Sequence, residues 1–233
     1  MIFHDYLADL ACLFFPATCG SCGTQLFIHE KAVCTKCRLE LEPTDHFTSP
    51  DNPVERLFHG RANIASAGAL YYLPQGGVAR KLIHSLKYKE RPDVGLWLGE
   101  MLGRELMLSN KQKEFDLLIP VPADKKRVRQ RTYNQCDLIA EGMAEILSIE
   151  VASDVLIRKS SAGSQTKLGR FGRWQNSRQQ YEVRLAHKIR NKRILLIDDV
   201  VTTGSTLLQC IDCLRSSGAS EIHIAVIGSP SEN

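Results

Sequence analysis

Residues 194–206 read Ile-Leu-Leu-Ile-Asp-Asp-Val-Val-Thr-Thr-Gly-Ser-Thr, and the whole chain is interpreted from them. Ile194 to Ile197 make an apolar run of strand length, ended by the adjacent carboxylates Asp198 and Asp199. Thr202, Thr203, Gly204, Ser205 and Thr206 cluster small hydroxyl residues around one glycine. Leu207, Ile211 and Leu214 then recur at helical spacing until Gly218. A strand, a small loop and a helix start form an anion cradle, because the opening N–H groups of a helix lack intrahelical partners and its dipole is positive there. Two aspartates cannot serve that anion. They suit hydroxyls or a cation beside it, and a phosphate next to a sugar diol satisfies both halves. Apolar strands ending in aspartate also hold Mg2+ beside nucleoside triphosphates, but the G-x-x-x-x-G-K-[ST] loop this requires is absent, as is G-x-G-x-x-G. Helix capping alone would need one carboxylate and no threonine–glycine run.

The 233 residues have a hydrophobic content of 43%, enough for a sizeable core. The net charge of +4 permits anionic partners without requiring them. No run reaches the roughly 18 apolar residues of a membrane-spanning helix. Leu7, Leu10, Ala11 and Phe14 predict a short packed helix over 1–15, ended by Pro16. Asp5 and Asp9 interrupt this stretch and no basic segment precedes it, so a signal peptide is not expected and the protein is expected to be cytoplasmic.

Four of the eight cysteines, Cys19, Cys22, Cys34 and Cys37, form two C-x2-C pairs. Each pair can turn two thiolates onto one ion, and four thiolates suit tetrahedral Zn2+ in a closed structural site. Gly23 supplies the positive φ that such a turn usually needs. Cys210 and Cys213 lie inside the helix after the cradle with no second pair nearby, and are read as packing residues, like Cys12 and Cys136. The seven histidines show no ligand spacing.

The polar stretch 42–53, with Pro43, Pro50 and Pro53, reads as a linker. It divides an element over 1–50, a helix plus the four-cysteine site, from a domain over 54–233. In that domain strands are expected at 64–72, 115–121, 151–157, 194–197 and 221–227, and helices at 76–88, 94–108, 134–147 and from 207. Strands alternating with helices predict an α/β fold with a mostly parallel sheet and the ligand at the carboxyl ends of its strands.

Residues 194–206 closely resemble the phosphoribosyl-pyrophosphate (PRPP) motif of type I phosphoribosyltransferases. The resemblance implies that Asp198 and Asp199, the catalytic candidates, contact the ribose hydroxyls. It implies that Thr202, Thr203, Gly204, Ser205 and Thr206 hold the 5-phosphate, and that Mg2+ accompanies PRPP. Pro120-Val121-Pro122 with Arg127, Arg131 and Asn134-Gln135 is similar to the ComF family, as are Leu86-Lys87-Tyr88, Gln165, Leu168, Arg173, Asn176 and Tyr181. The N-terminal zinc element is also part of that family's layout. One departure stands out: Thr132-Tyr133 occupy the place of a usual Gly-Phe before Asn-Gln.

Lys125, Lys126, Arg127, Arg129 and Arg131 place five cations in seven residues, and Lys167, Arg170 and Arg173 repeat every three. Lys87, Arg127, Arg131, Lys167 and Arg173 are the candidates for pyrophosphate or nucleic acid, and the glycine-interrupted stretch 163–180 is a candidate hood with Phe171, Trp174 and Tyr181 interleaved. The ComF resemblance implies a PRPP-binding protein of natural transformation that contacts single-stranded DNA and works with a competence helicase or another uptake protein. The alternative is a metabolic phosphoribosyltransferase that moves phosphoribose from PRPP to a base or amine. No base-recognition pocket is identifiable from the sequence.

Overall fold

The computed structural model describes residues 16–124, 128–129, 131–159 and 180–230. Four strands form one parallel sheet: β1 (Ser66–Tyr72), β2 (Leu117–Pro120), β5 (Arg193–Val200) and β6 (Glu221–Ser229), in the order β1-β6-β5-β2. Leu117 to Pro120 pair with Ile194 to Ile197, which pair in turn with Ile222 to Ala225. A two-stranded antiparallel ribbon, β3 (Leu156–Arg158) with β4 (Tyr181–Val183), lies outside this sheet.

Successive side chains of a strand point to opposite faces, and here both faces are covered. Leu118, Leu195, Ile197, Ala225 and Ile227 pack into one core with the helices α3 (Val78–Tyr88), α4 (Pro92–Leu108) and α5 (Gln135–Leu147). Leu117, Ile119, Ile194, Leu196, Ile222 and Ile224 pack into a second with α7 (Ser205–Ser216). This explains why β5 and β6 read as unbroken apolar runs. The helices α4 and α5 touch through glycine. A Cβ on Gly99 would overlap the backbone oxygen of Ile139, and one on Gly142 would overlap that of Leu96.

Among the described residues, the four-cysteine element packs into a core shared with α3 and α4. Cys19, Ala32, Val33, Cys34 and Cys37 are buried in the same cluster as Leu82, Val94 and Trp97. The short helix α1 (Thr35–Leu39) carries Cys37. Residues 42–53, expected to be a linker, instead form part of the body. Pro43 bridges Tyr71, Tyr72 N donates to Glu42 O at 2.9 Å and Thr44 N to Leu70 O at 3.0 Å. Asn52 is buried, caps α2 (Pro53–Arg56) and donates to Ala67 O at 2.8 Å. The prolines stop regular pairing beyond a single bridge without freeing the chain.

The strand expected over 151–157 is divided. Val151 makes one parallel bridge to Leu118, residues 153–155 turn, and only then does β3 begin. The remaining short helix is α6 (Ala186–Ile189). The helix expected over 1–15 and residues 163–179 of the expected hood lie outside the described residues. No helix among the described residues is long and apolar enough to cross a membrane.

Candidate functional site

β5 ends at the sheet's carboxyl edge and delivers Asp198, Asp199 and the 201–206 loop there. Gly204 precedes α7 with φ +71°, and a Cβ on it would press on the buried ring of Phe58 at 3.3 Å. Glycine is thus required twice at this turn, by φ and by the ring behind it. Thr203 Oγ1 and Ser205 Oγ are 2.9 Å apart, Thr203 Oγ1 accepts from Ser205 N at 3.5 Å, and the N-cap Gly204 makes no side-chain bond to α7. Asp198, Val200 to Leu207 line a cup of about 70 Å³. The start of α7 lines the cup with N–H groups and the positive end of its dipole. Outside the cup, Arg61 Nη1 donates to Thr203 O at 3.1 Å and to Leu57 O at 2.9 Å, which ties the loop to the segment after α2.

Asp198, Val200 and Thr206 also line an adjoining cavity of about 190 Å³. Its other walls include Lys87, Arg131, Gln135, Cys136, Arg158 and Tyr181. Lys87, from the last turn of α3, reaches Asp199 with Nζ at 2.9 and 2.8 Å from its two oxygens. Asp198 Oδ1 accepts from Asp199 N at 2.8 Å and from the Cys136 thiol at 3.4 Å. Burial, followed by the charge of Asp199, pushes the Asp198 carboxyl up to about 7. Burial likewise pushes the Cys136 thiol well up, so it stays a protonated donor. The adjacent aspartates thus differ: one carries an ion pair and the other holds a proton near neutrality. Gln135 is buried and its Nε2 has no hydrogen-bond partner. An orphaned amide in a wall with three cationic side chains suits a polar, anionic occupant.

The structure brings together Asp198, Asp199, Thr202, Thr203, Gly204, Ser205, Thr206, Lys87 and Arg131. Arg127, Lys125, Lys126, Lys167, Arg170 and Arg173 lie outside the described residues, and Arg129 is exposed. Thr132 has φ +68°, the backbone that a glycine would adopt without strain. The departure at Thr132-Tyr133 therefore keeps the turn. Tyr133 uses its added hydroxyl to donate to Leu86 O at 2.8 Å, which ties the turn to α3. Asn134 caps α5 and donates to Val121 O at 3.2 Å, fixing the turn to the end of β2.

Sequence reasoning missed Phe58, Arg61, Gln135 and Arg158 as site residues. Arg158 closes a predominantly apolar strand segment, a placement that could have marked it. It lies 3.8 Å from Asp124 and 5.8 Å from the centre of the Tyr181 ring. Phe58 and Arg61 come from a segment with no periodic signal.

The sulfur atoms of Cys19, Cys22, Cys34 and Cys37 all lie within 4.8 Å of one another, and those of Cys22 and Cys34 are 3.7 Å apart. Four sulfurs at zinc-like bond lengths around one ion would be about 3.8 Å apart. Gly23 has φ +76°. Cys34 N donates to Cys19 Sγ at 3.4 Å and Cys37 N to Cys34 Sγ at 3.5 Å, which would support thiolate charge. The cluster can therefore hold a metal ion.

Residues 134–232 match the phosphoribosyl transferase domain family. The matched segment starts at the cap of α5, and β1, α3 and β2 precede it in the chain. The chain is similar to competence protein F of Haemophilus influenzae, with 29% identity over 227 residues that cover 91% of this chain and 96% of that protein. It is 26% identical to DNA utilization protein YhgH of Salmonella typhi over 146 residues, 61% of this chain. That match spans 63% of YhgH, under two thirds of its length. Amidophosphoribosyltransferase of Escherichia coli is 26% identical over 138 residues, 59% of this chain and 24% of that enzyme.

Proposed function

We propose that this is a ComF-like protein that binds PRPP or a related ribose 5-phosphate and acts in the handling of DNA taken up during natural transformation. The observation that carries the reading is the continuity of cup and cavity through Asp198 and Thr206. The cup takes a phosphate at the start of α7. Asp198 and Asp199 face the ribose hydroxyls, as the acidic pair of the motif implies. Lys87 and Arg131 lie where a pyrophosphate would follow, with Arg127, Lys167 and Arg173 as further candidates. Mg2+ would neutralise that pyrophosphate, and Zn2+ is the ion the four thiolates suit best. The DNA role draws on competence protein F and YhgH, whose names refer to competence and DNA utilization. The partners proposed are single-stranded DNA and a competence helicase or another uptake protein, in the cytoplasm.

Titration calorimetry tests the site. Wild type should bind PRPP, and Asp198→Asn with Asp199→Asn should lose that binding while keeping its unfolding temperature. Unchanged affinity would remove the acidic pair from the site. Transformation frequency of a deletion strain, complemented with wild type or the double variant, tests the role. The metabolic alternative requires pyrophosphate release from PRPP on addition of a base or amine, and the proposed function requires none.

A further inference from the structure

α3 is strongly cationic. Between Val78 and Lys89 it carries Arg80, Lys81, Lys87 and Lys89 and no acidic residue. Its buried face, Val78, Leu82, Ile83 and Leu86, belongs to the core, so the cations lie on the outer side. Two of them are engaged: Arg80 donates to Leu73 O at 2.9 Å, and Lys87 turns into the cavity.

The end of this helix carries Tyr88, one of six large hydrophobic side chains exposed among the described residues, at 65%. It has two planar neighbours. The Arg131 guanidinium carbon lies 5.0 Å from the ring centre, and the His84 ring lies 4.8 Å away at a tilt of 43°. His84 and Tyr88 are one helical turn apart, so their meeting follows from the i, i+4 spacing. Arg131 also lines the cavity, and Lys87, beside Tyr88, pairs with Asp199. The row His84–Tyr88–Arg131 thus runs along the surface to the mouth of the site. What sets this ring apart from the other exposed hydrophobics is its setting: it is flanked by two planar side chains and its surroundings are cationic. A base stacked on an aromatic ring, with its phosphates on nearby lysines, is the common way to hold single-stranded nucleic acid.

We propose that His84, Tyr88 and Arg131 form a stacking platform for an unpaired base of single-stranded DNA. Lys81 and Lys89 meet its phosphates, and the strand is led to the rim of the phosphoribosyl cavity. This rests on the DNA reading above and deepens it by locating a contact surface. The 65% exposure of Tyr88 makes its replacement tolerable to the fold.

The test is fluorescence anisotropy with a labelled oligo(dT) and a matched abasic strand, on the full chain as wild type, Tyr88→Ala and Tyr88→Phe. Tyr88→Ala should weaken oligo(dT) binding about 5- to 150-fold, the range for loss of one stacked base. Tyr88→Phe should retain it. The abasic strand, with the same phosphates, should bind all three proteins alike. Equal oligo(dT) affinity of wild type and Tyr88→Ala would overturn the platform and leave the DNA reading intact. No oligo(dT) binding by wild type would overturn both.

Discussion

Asp198 should make PRPP affinity depend on pH in a way that its neighbours control. Burial and the charge of Asp199 push its carboxyl up to about 7. The ribose hydroxyls donate most strongly to the ionised form, so binding favours the carboxylate and releases a proton. The ionised share of a group titrating near 7 rises from about one in eleven at pH 6 to about ten in eleven at pH 8. Apparent affinity should therefore rise about tenfold over that window. Stability runs the other way. The folded protein retains a proton that the unfolded chain sheds near pH 4, so this stabilising contribution is complete below about pH 4 and is lost as pH climbs through 7. Calorimetry at pH 6, 7 and 8, in two buffers of different ionisation enthalpy, reads both affinity and proton release. The titration of PRPP itself is common to every variant and cancels in comparison. Asp198→Asn should flatten the protein's part of the profile. Asp199→Asn should shift its midpoint to lower pH, because a like charge is removed. A profile unchanged by Asp198→Asn, or a midpoint that moves up with Asp199→Asn, would refute the reasoning.

Thr132→Gly should stabilise the protein by about 0.5–1 kcal/mol in denaturant melts, because a β-branched residue now holds φ +68° there. Gly142→Ala should cost about 3 kcal/mol by overpacking, since the added methyl meets the backbone of Leu96 and no side chain can yield; thermal unfolding reads the loss. Metal analysis should give about one zinc per chain, and chelation should lower the unfolding transition of the whole chain rather than reveal a separate one, because the cysteines share the core of α3 and α4.

Sequence periodicity identified the parallel sheet because β5 and β6 are covered on both faces and must be continuously apolar. The cup was legible for a similar reason: glycine and hydroxyl residues at a strand-to-helix turn serve few other purposes. Three features were not legible. Residues 42–53 carry three prolines and look like a tether, yet side-chain bonds from Asn52 and backbone bonds from Glu42 and Thr44 bind them to β1. Composition does not encode such long-range partners. The break of 151–158 into a bridge, a turn and β3 follows from the change of partner, Leu118 first and β4 afterwards, which local pattern cannot register. Lys87 was a pyrophosphate candidate, but its ion pair with Asp199 spans 112 residues and needed the fold to appear.

That ion pair ties the last turn of α3 to the end of β5. α3 presents Lys87 to Asp199, and Gly20 of the first C-x2-C turn sits against Val94 and Leu82, so close that a Cβ there would overlap Val94 and touch Leu82. Arg91, just after α3, donates to Thr18 O at 2.8 Å, and Lys31 pairs with Glu100 of α4 at 2.7 Å. A metal that fixes the cysteine turns therefore also fixes the seat of α3. The consequence is a functional role for an ion far from the cup: chelation should weaken PRPP binding as well as stability. If the effect passes through α3, Lys87→Gln should already have lost what chelation removes. Wild type should lose about tenfold in affinity on chelation, a charge-assisted bond's worth, while Lys87→Gln should start about tenfold weaker and change little further. Additive losses from chelation and Lys87→Gln would show that the metal acts on the site by another route, and an unaffected wild type would confine it to stability.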